Sequence, residues 1–316
     1  MTKRRIWLIA LTAVLALVAG ACGDDSDSVS GPLDEDKSTS TTAKDVTVKK
    51  PTFTAGTTME KIQTAGKIKV GVKFDQPGFG LKNPTTGEVE GFDVEIAKLI
   101  VEAIGPDVEI EFVESVSKNR EPFLQDGTVD MVVATYTIND TRKQVIDFAG
   151  PYFVAQQDIM VNADDTSIKS VDDLNGAKVC TVKGSTSEKN LLAKAPQAEV
   201  TLFDTYSQCA EAMTDGRVVA VTTDNTILAG LVDASDGAFK LIEAPFSDEP
   251  YGIGVKKDDD AFRSFINDRL EEIFESGDWA SAFESTLGAI GLKTPEPPTI
   301  DRYTETPPAP PTTAAN

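Results

Sequence analysis

Short apolar runs alternate with amphipathic helical periodicities through most of this chain, and that alternation constrains its fold more than any other feature. Ile68, Val70 and Val72 alternate with polar neighbours in the manner of a half-buried strand. Met131-Val132-Val133-Ala134 reads as a buried strand, and Val179 to Val182, Val218 to Val221 and Gly252 to Val255 look similar. Between the first two strands, Ile96, Leu99, Ile100 and Ile104 mark one helical face, with Asp93 as its expected N-cap. A second stripe, Phe262, Ile266, Leu270 and Ile273, is followed by Gly277 as a C-cap signal. Strand–helix alternation of this kind predicts an α/β protein with mostly parallel sheets. In open sheets of that class, ligands bind beyond the carboxyl ends of the strands.

The alternation fills roughly 240 residues, more than one simple core organises, so two lobes are expected. Its flanks differ in composition. From Gly23 to about Pro51 the chain is Asp, Ser, Thr and Lys with almost no large apolar residue, and such a segment is expected to stay disordered. From Thr294 to Asn316 it is rich in Pro and Thr and reads as an extended tail. At the other end, Lys3, Arg4 and Arg5 precede an apolar run from Ile6 to Val18, and then Ala19, Gly20, Ala21 and Cys22. That order is a secretory signal, and it resembles a bacterial lipobox. The resemblance implies a leader over residues 1–21, lipidation of Cys22 and anchoring on the extracytoplasmic face of the cell membrane. Ala19 departs from the pattern, since Leu or Val is commoner there. Cleavage elsewhere or an uncleaved anchor is the alternative, although the run is shorter than the roughly 20 residues that span a bilayer.

With 30 basic against 51 acidic side chains the net charge is −21, and loss of the leader removes three more cations. So acidic a surface argues against nucleic acid and anionic lipid as partners. It also requires a local cationic site if the ligand is an acid. The chain has no histidine, which excludes Ser-His-Asp and Cys-His catalysis and His-rich metal sites. No cofactor or metal is expected. Beyond Cys22 the cysteines are Cys180 and Cys209. Outside the cytoplasm an even pair predicts a disulfide, with two buried thiols as the alternative.

Three segments place polar or cationic groups just after a buried strand. Thr135 to Arg142, followed by Asp147-Phe148 and Pro151-Tyr152, offers Thr hydroxyls, those of Thr135 and Thr137 among them, and an Arg whose planar fork suits a carboxylate; a surface Arg is the plain alternative. Lys183 to Glu188 contains Ser185 and Glu188 at capping-box spacing, which predicts a helix start and a possible anion site. Thr222-Thr223-Asp224-Asn225 ends a strand on a carboxylate that could receive an ammonium group, or simply cap a helix. Together they form a cradle for an amino acid.

This order of motifs resembles the family 3 solute-binding proteins of polar amino acid ABC importers, as do Gly91-Phe92-Asp93-Val94 and Leu124-Gln125-Asp126-Gly127 with Asp130. The resemblance covers roughly residues 58 to 293. It implies a two-lobed periplasmic-binding-protein-like (type II) fold with a ligand cleft between the lobes. Arg142 would then hold an α-carboxylate and Asp224 an α-amine, with Thr135, Thr137, Ser185 and Thr186 supplying hydrogen bonds. Ser117 to Pro122 is similar to the Ser-x-Asn-Arg-x-Pro stretch of glutamate/aspartate binders, which places Arg120 at a distal carboxylate. Lys73 matches another cation of those binders, and Tyr206 falls where the second lobe can reach the same end. Val182 and Lys183 depart from the Thr-Ser often found there, so the second-lobe contacts follow less closely.

The resulting expectation is a leader over 1–21, a lipid-anchored linker over 22–52, a first lobe over 53–154 plus 250–293, a second over 155–249, and a tail over 294–316. The two crossings would fall near Val154-Gln157 and Pro245-Pro250. The function implied is capture of glutamate, or aspartate, for an ABC permease. A sensor that reports to a membrane signalling protein is the second reading, and a cleft-based dehydratase is a remote third, because the matched positions are cationic or hydroxyl. No enzymatic activity is expected.

Overall fold

A computed structural model describes residues 51–303. The leader, Cys22 and nearly all of the linker therefore lie outside the described residues. After α1 (Thr58–Ala65) the chain enters β1 (Lys67–Val72), whose apolar residues are buried as the alternation requires. A small three-stranded sheet of β2 (Asp75–Gln76), β3 (Gly80–Lys82) and β4 (Val89–Glu90) leads into α2 (Phe92–Ile104). Then follow β5 (Glu109–Glu114), a 3-10 turn at Ser117–Asn119, α3 (Arg120–Asp126), β6 (Met131–Val132) and α4 (Asp140–Lys143). Strands β5 and β6 flank β1 in parallel, as a β-helix-β pattern predicts.

The next strand, β7, is 17 residues long (Ile146–Asn162) and passes out of this first lobe. The second lobe contains β8 (Lys178–Val182), α5 (Thr186–Lys194), β9 (Glu199–Phe203), α6 (Tyr206–Thr214), β10 (Ala220–Asp224), α7 (Asn225–Asp233) and β11 (Phe239–Leu241). Here β8 lies between β9 and β10, all parallel. β12 (Ser247–Lys256) returns antiparallel to β7, and α8 (Asp260–Ser276) and α9 (Asp278–Ser285) pack back on the first lobe. One nine-stranded sheet thus runs β5-β1-β6-β12-β7-β10-β8-β9, with β11 beside β7. It is mixed rather than mostly parallel, because β7 and β12 are antiparallel to each other. The two expected crossings pair directly: Val154 opposes Pro250 and Gln157 opposes Ser247.

Two local expectations change. Asp93 is not a cap; Gly91 holds the N-cap position of α2 and Asp93 is buried within the first turn. The Pro-rich end has no helix or strand as far as Tyr303, yet it is not loose. Asp301 N–H donates to the Gly150 carbonyl at 2.8 Å, and the Tyr303 ring lies under the Lys143 ammonium at 4.1 Å and the Arg263 guanidinium at 4.6 Å. Gly277, in contrast, closes α8 in the left-handed conformation the sequence predicts.

Cys180 in β8 and Cys209 in α6 form a disulfide that pins the helix to the buried face of the strand. Closing a loop of this length stabilises the folded chain by about 3 kcal/mol, through lost freedom of the unfolded state. Replacing both cysteines by serine is expected to lower the unfolding free energy by about 2–4 kcal/mol, measured by urea denaturation monitored by circular dichroism.

Candidate functional site

The carboxyl ends of β1, β6, β8 and β10 converge between the lobes, and the polar residues that follow them are buried there. Lys73 leaves β1 and donates from Nζ to Ser117 Oγ at 2.9 Å. Arg120 opens α3; its Nη1 donates to the Ala134 carbonyl at 3.0 Å and to that of Thr135 at 3.2 Å, and its Nε to the Ser117 carbonyl at 3.3 Å. Arg142 lies in the one-turn helix α4, which Asn139 caps. Its Nη1 donates to the Thr137 carbonyl at 2.7 Å and its Nε to Glu121 Oε1 at 3.1 Å. All three cations are less than 5% exposed.

Opposite them stands Asp224, at the N-cap position of α7 but with no capping bond from its side chain. Its Oδ2 accepts from the Tyr251 hydroxyl at 2.5 Å, while its buried Oδ1 has no hydrogen-bond partner among the described residues. An acceptor left in that state costs stability unless a donor arrives. Gln76, fully buried, presents the complementary group: its Nε2 also lacks a partner, and its Oε1 accepts from Thr135 Oγ1 at 3.1 Å. Thr135 has φ 44°, an unusual conformation for a β-branched residue. It is held there by Asp93, whose Oδ2 accepts the Thr135 N–H at 2.8 Å and whose Oδ1 accepts the Tyr152 hydroxyl at 2.6 Å.

From the second lobe, Ser185 caps α5: its hydroxyl accepts the Glu188 N–H at 3.0 Å and donates to the Val182 carbonyl at 2.7 Å. Glu188 completes the turn on the Gly184 N–H rather than on that of Ser185. The Ser185 hydroxyl is therefore committed locally, and Thr186 is the group that meets the first lobe, its Oγ1 3.3 Å from Thr137 Oγ1. Tyr206 is buried, its hydroxyl donating to Ser187 Oγ at 3.3 Å and its N–H to Asp75 Oδ2 of the first lobe at 2.8 Å. Further contacts shut the cleft: Arg142 Nη2 donates to the Gly184 carbonyl at 3.4 Å, and Lys118 pairs with Asp204 at 2.5 Å. Gly184 permits this approach, since a Cβ there would lie 2.9 Å from Lys118 Cα.

Burial and crowding move the protonation equilibria. Burial, reinforced by the Arg120 charge, brings Lys73 down to about 7. Burial and then Arg142 bring Arg120 down to about 10. Burial pushes Asp224 up to about 7, with Glu249 adding to it, and burial likewise pushes Asp93 up to about 7 against its two hydrogen bonds. A groove of about 810 Å³ elsewhere, lined by Phe74, Leu81, Leu231 and Phe239 among others, is predominantly apolar and lacks such convergence.

Nearly every side chain singled out from sequence thus reaches one buried cluster. Three members were not legible as such. Gln76 lies outside the strand and helix patterns, Asp93 has the spacing of a cap, and Tyr251 falls between a Pro and an apolar run. Only the approach of distant elements gives these residues their roles.

Two α/β lobes sharing one sheet, with buried cations and a carboxylate where their strands end, define the architecture of a two-lobed solute-binding protein. Residues 68–289 match the bacterial extracellular solute-binding proteins, family 3, and the chain belongs to that family. It is 43% identical over 232 residues to the ABC transporter glutamine-binding protein GlnH of Bacillus subtilis (strain 168), covering 73% of this chain and 84% of that one. It is 41% identical over 234 residues to the glutamate-binding protein GluB of Corynebacterium glutamicum, covering 71% and 79% respectively. Among solved structures, an ancestral arginine-binding protein bound to glutamine superimposes with a TM-score of 0.67 at 38% identity, over 71% of this chain and 98% of that one.

Truncating Asp93 to alanine would strand two buried donors, the Thr135 N–H and the Tyr152 hydroxyl. Asp93→Ala is expected to destabilise the protein by about 2–4 kcal/mol in urea denaturation, and Asp93→Asn, which keeps one acceptor oxygen, by less.

Proposed function

We propose that this chain is an extracytoplasmic binding protein, not an enzyme, that captures a polar amino acid, L-glutamate first and aspartate second, and delivers it to an ABC permease. The observation that carries this reading is the burial of Arg142, Arg120 and Lys73 in one cleft with Asp224, whose Oδ1 has no partner among the described residues. In it, Arg142 holds the α-carboxylate, helped by Thr135, Thr137 and the Ser185-Thr186 turn. Asp224 Oδ1 receives the α-ammonium. Arg120 and Lys73, with Gln76 and Tyr206 beside them, meet the distal carboxylate. Lipidation of Cys22 at the outer face of the cell membrane belongs to the same proposal, as does closure of the cleft by bending where β7 and β12 pair. The relatives named as glutamate- and glutamine-binding proteins support an amino-acid ligand.

A second ligand, glutamine, is favoured by one specific feature. Arg120 already donates to three backbone carbonyls, and burial lowers Lys73 to about 7, so that it can be neutral as well as charged near that pH and the distal end can also meet an amide. The two readings differ in pH dependence. Both need ionised Asp224, so affinity falls as pH drops below about 7. Glutamate also needs protonated Lys73, so its affinity falls again above about 7. Glutamine has no such alkaline limb until its own amino group titrates. Isothermal titration of both ligands between pH 5.5 and 8.5 is expected to give a bell for glutamate, whose alkaline limb disappears in Lys73→Met. A glutamate profile with no alkaline limb in the wild-type protein would remove Lys73 from the site.

Arg142→Ala is expected to cost about 2–5 kcal/mol of affinity for either ligand, because a desolvated carboxylate loses its partner. Near-normal binding in that variant, by the same calorimetry, would sink the assignment.

A further inference from the structure

Arg120 and Arg142 carry like charges into one buried place, and Arg142 is the principal neighbouring charge that weakens Arg120's hold on its proton. Something must hold two such groups together. The residue common to both is Tyr136, which the sequence gives no reason to notice between its two threonines. The Arg120 guanidinium lies over the Tyr136 ring at 4.2 Å and that of Arg142 at 4.8 Å. The carbonyls that anchor the same two side chains belong to Ala134, Thr135 and Thr137, the residues around Tyr136 in the chain.

We infer that Tyr136 is a positioning residue for the binding site: its ring and the flanking carbonyls form a common seat that fixes both guanidiniums for ligand capture. This rests on the reading of Arg120 and Arg142 as ligand-holding groups. The negative face of an aromatic ring attracts a guanidinium, and more strongly where water is excluded. The ring itself has little freedom. It is fully buried in a small core with Leu124, Val132 and Phe148, the last meeting it edge-on at 4.7 Å. β12 makes room for it with Gly254, where a Cβ would lie 2.8 Å from Tyr136 Cε1. Glu121 completes the seat by accepting from Arg142 Nε. Burial acts to raise the Glu121 carboxyl, but Arg120 and Arg142 outweigh it and hold the group below its ordinary range. One charge is thus offset by a carboxylate and the remainder is spread over the ring.

Because both guanidiniums contact the ring, Tyr136→Leu in the full chain is expected to weaken glutamate binding about tenfold, and Tyr136→Phe to recover most of that loss. The direct readout is nuclear magnetic resonance of the arginine Nε–Hε groups, assigned with Arg120→Lys and Arg142→Lys. Both signals are expected to be ring-current shifted in the wild-type protein and in Tyr136→Phe. Wild-type-like binding by Tyr136→Leu, equal damage from Phe and Leu, or unshifted arginine signals in the wild type would each overturn the proposal. If Tyr136→Leu does not fold, the wild-type shifts and the Phe variant still decide it. If the wild-type protein binds neither glutamate nor glutamine, the proposed function fails, while the ring-current shifts still report whether Tyr136 seats both guanidiniums.

Discussion

The antiparallel ladder between β7 and β12 is the constraint on which everything else rests. These two strands belong to both lobes, so their paired backbones, with one shift of register between Tyr251 and Ile253, fix how the lobes can face one another. β12 pairs with β6 at Gly254 and Val255, and β7 pairs with β10 from Ala220 to Asp224. The ladder thereby brings together the Thr135–Thr137 segment that follows β6 and the Asp224 carboxylate that ends β10. Tyr251 makes the link explicit, since it lies on β12, bridges to Thr137 through the backbone and donates its hydroxyl to Asp224.

What the ladder assembles is electrostatically costly. Two guanidiniums, an ammonium and two carboxylates are taken out of water, and each buried charge must be met by a partner or shift its equilibrium. The protein uses both responses. Backbone carbonyls, Glu121 and the Tyr136 ring hold the arginines, whereas Lys73, Asp93 and Asp224 are brought to about neutrality. The unusual φ of Thr135 belongs to the same arrangement, and Asp93 accepts its N–H in this geometry. Such strain persists where surrounding structure over-determines it, and here it is braced by Asp93, Gln76 and Arg120.

Residues that carry charge at a strand end were legible in advance. Arg142 and Asp224 follow apolar runs whose burial the continuous patterns predict, and the rule that α/β sites form at carboxyl strand ends then points to them, whereas Arg120 was indicated only by the family resemblance. Ser185 was legible as a cap, and the structure uses its hydroxyl as one. Residues whose role comes from a partner far along the chain were not legible. Asp93 has the spacing of a cap but bonds to Thr135 and Tyr152, Gln76 meets Thr135, and Tyr303 anchors a segment whose composition reads as loose tail.

The sequence by itself determined the α/β class, because periodicity is a local property, and its length led to the expectation of two lobes. The tertiary structure alone decided that the sheet is mixed, that Tyr136 serves two arginines at once, and that Asp224 keeps one buried oxygen unpartnered among the described residues. The reason is that hydrogen-bond satisfaction and charge burial are settled between residues tens to hundreds of positions apart. Only the folded chain shows which donor meets which acceptor.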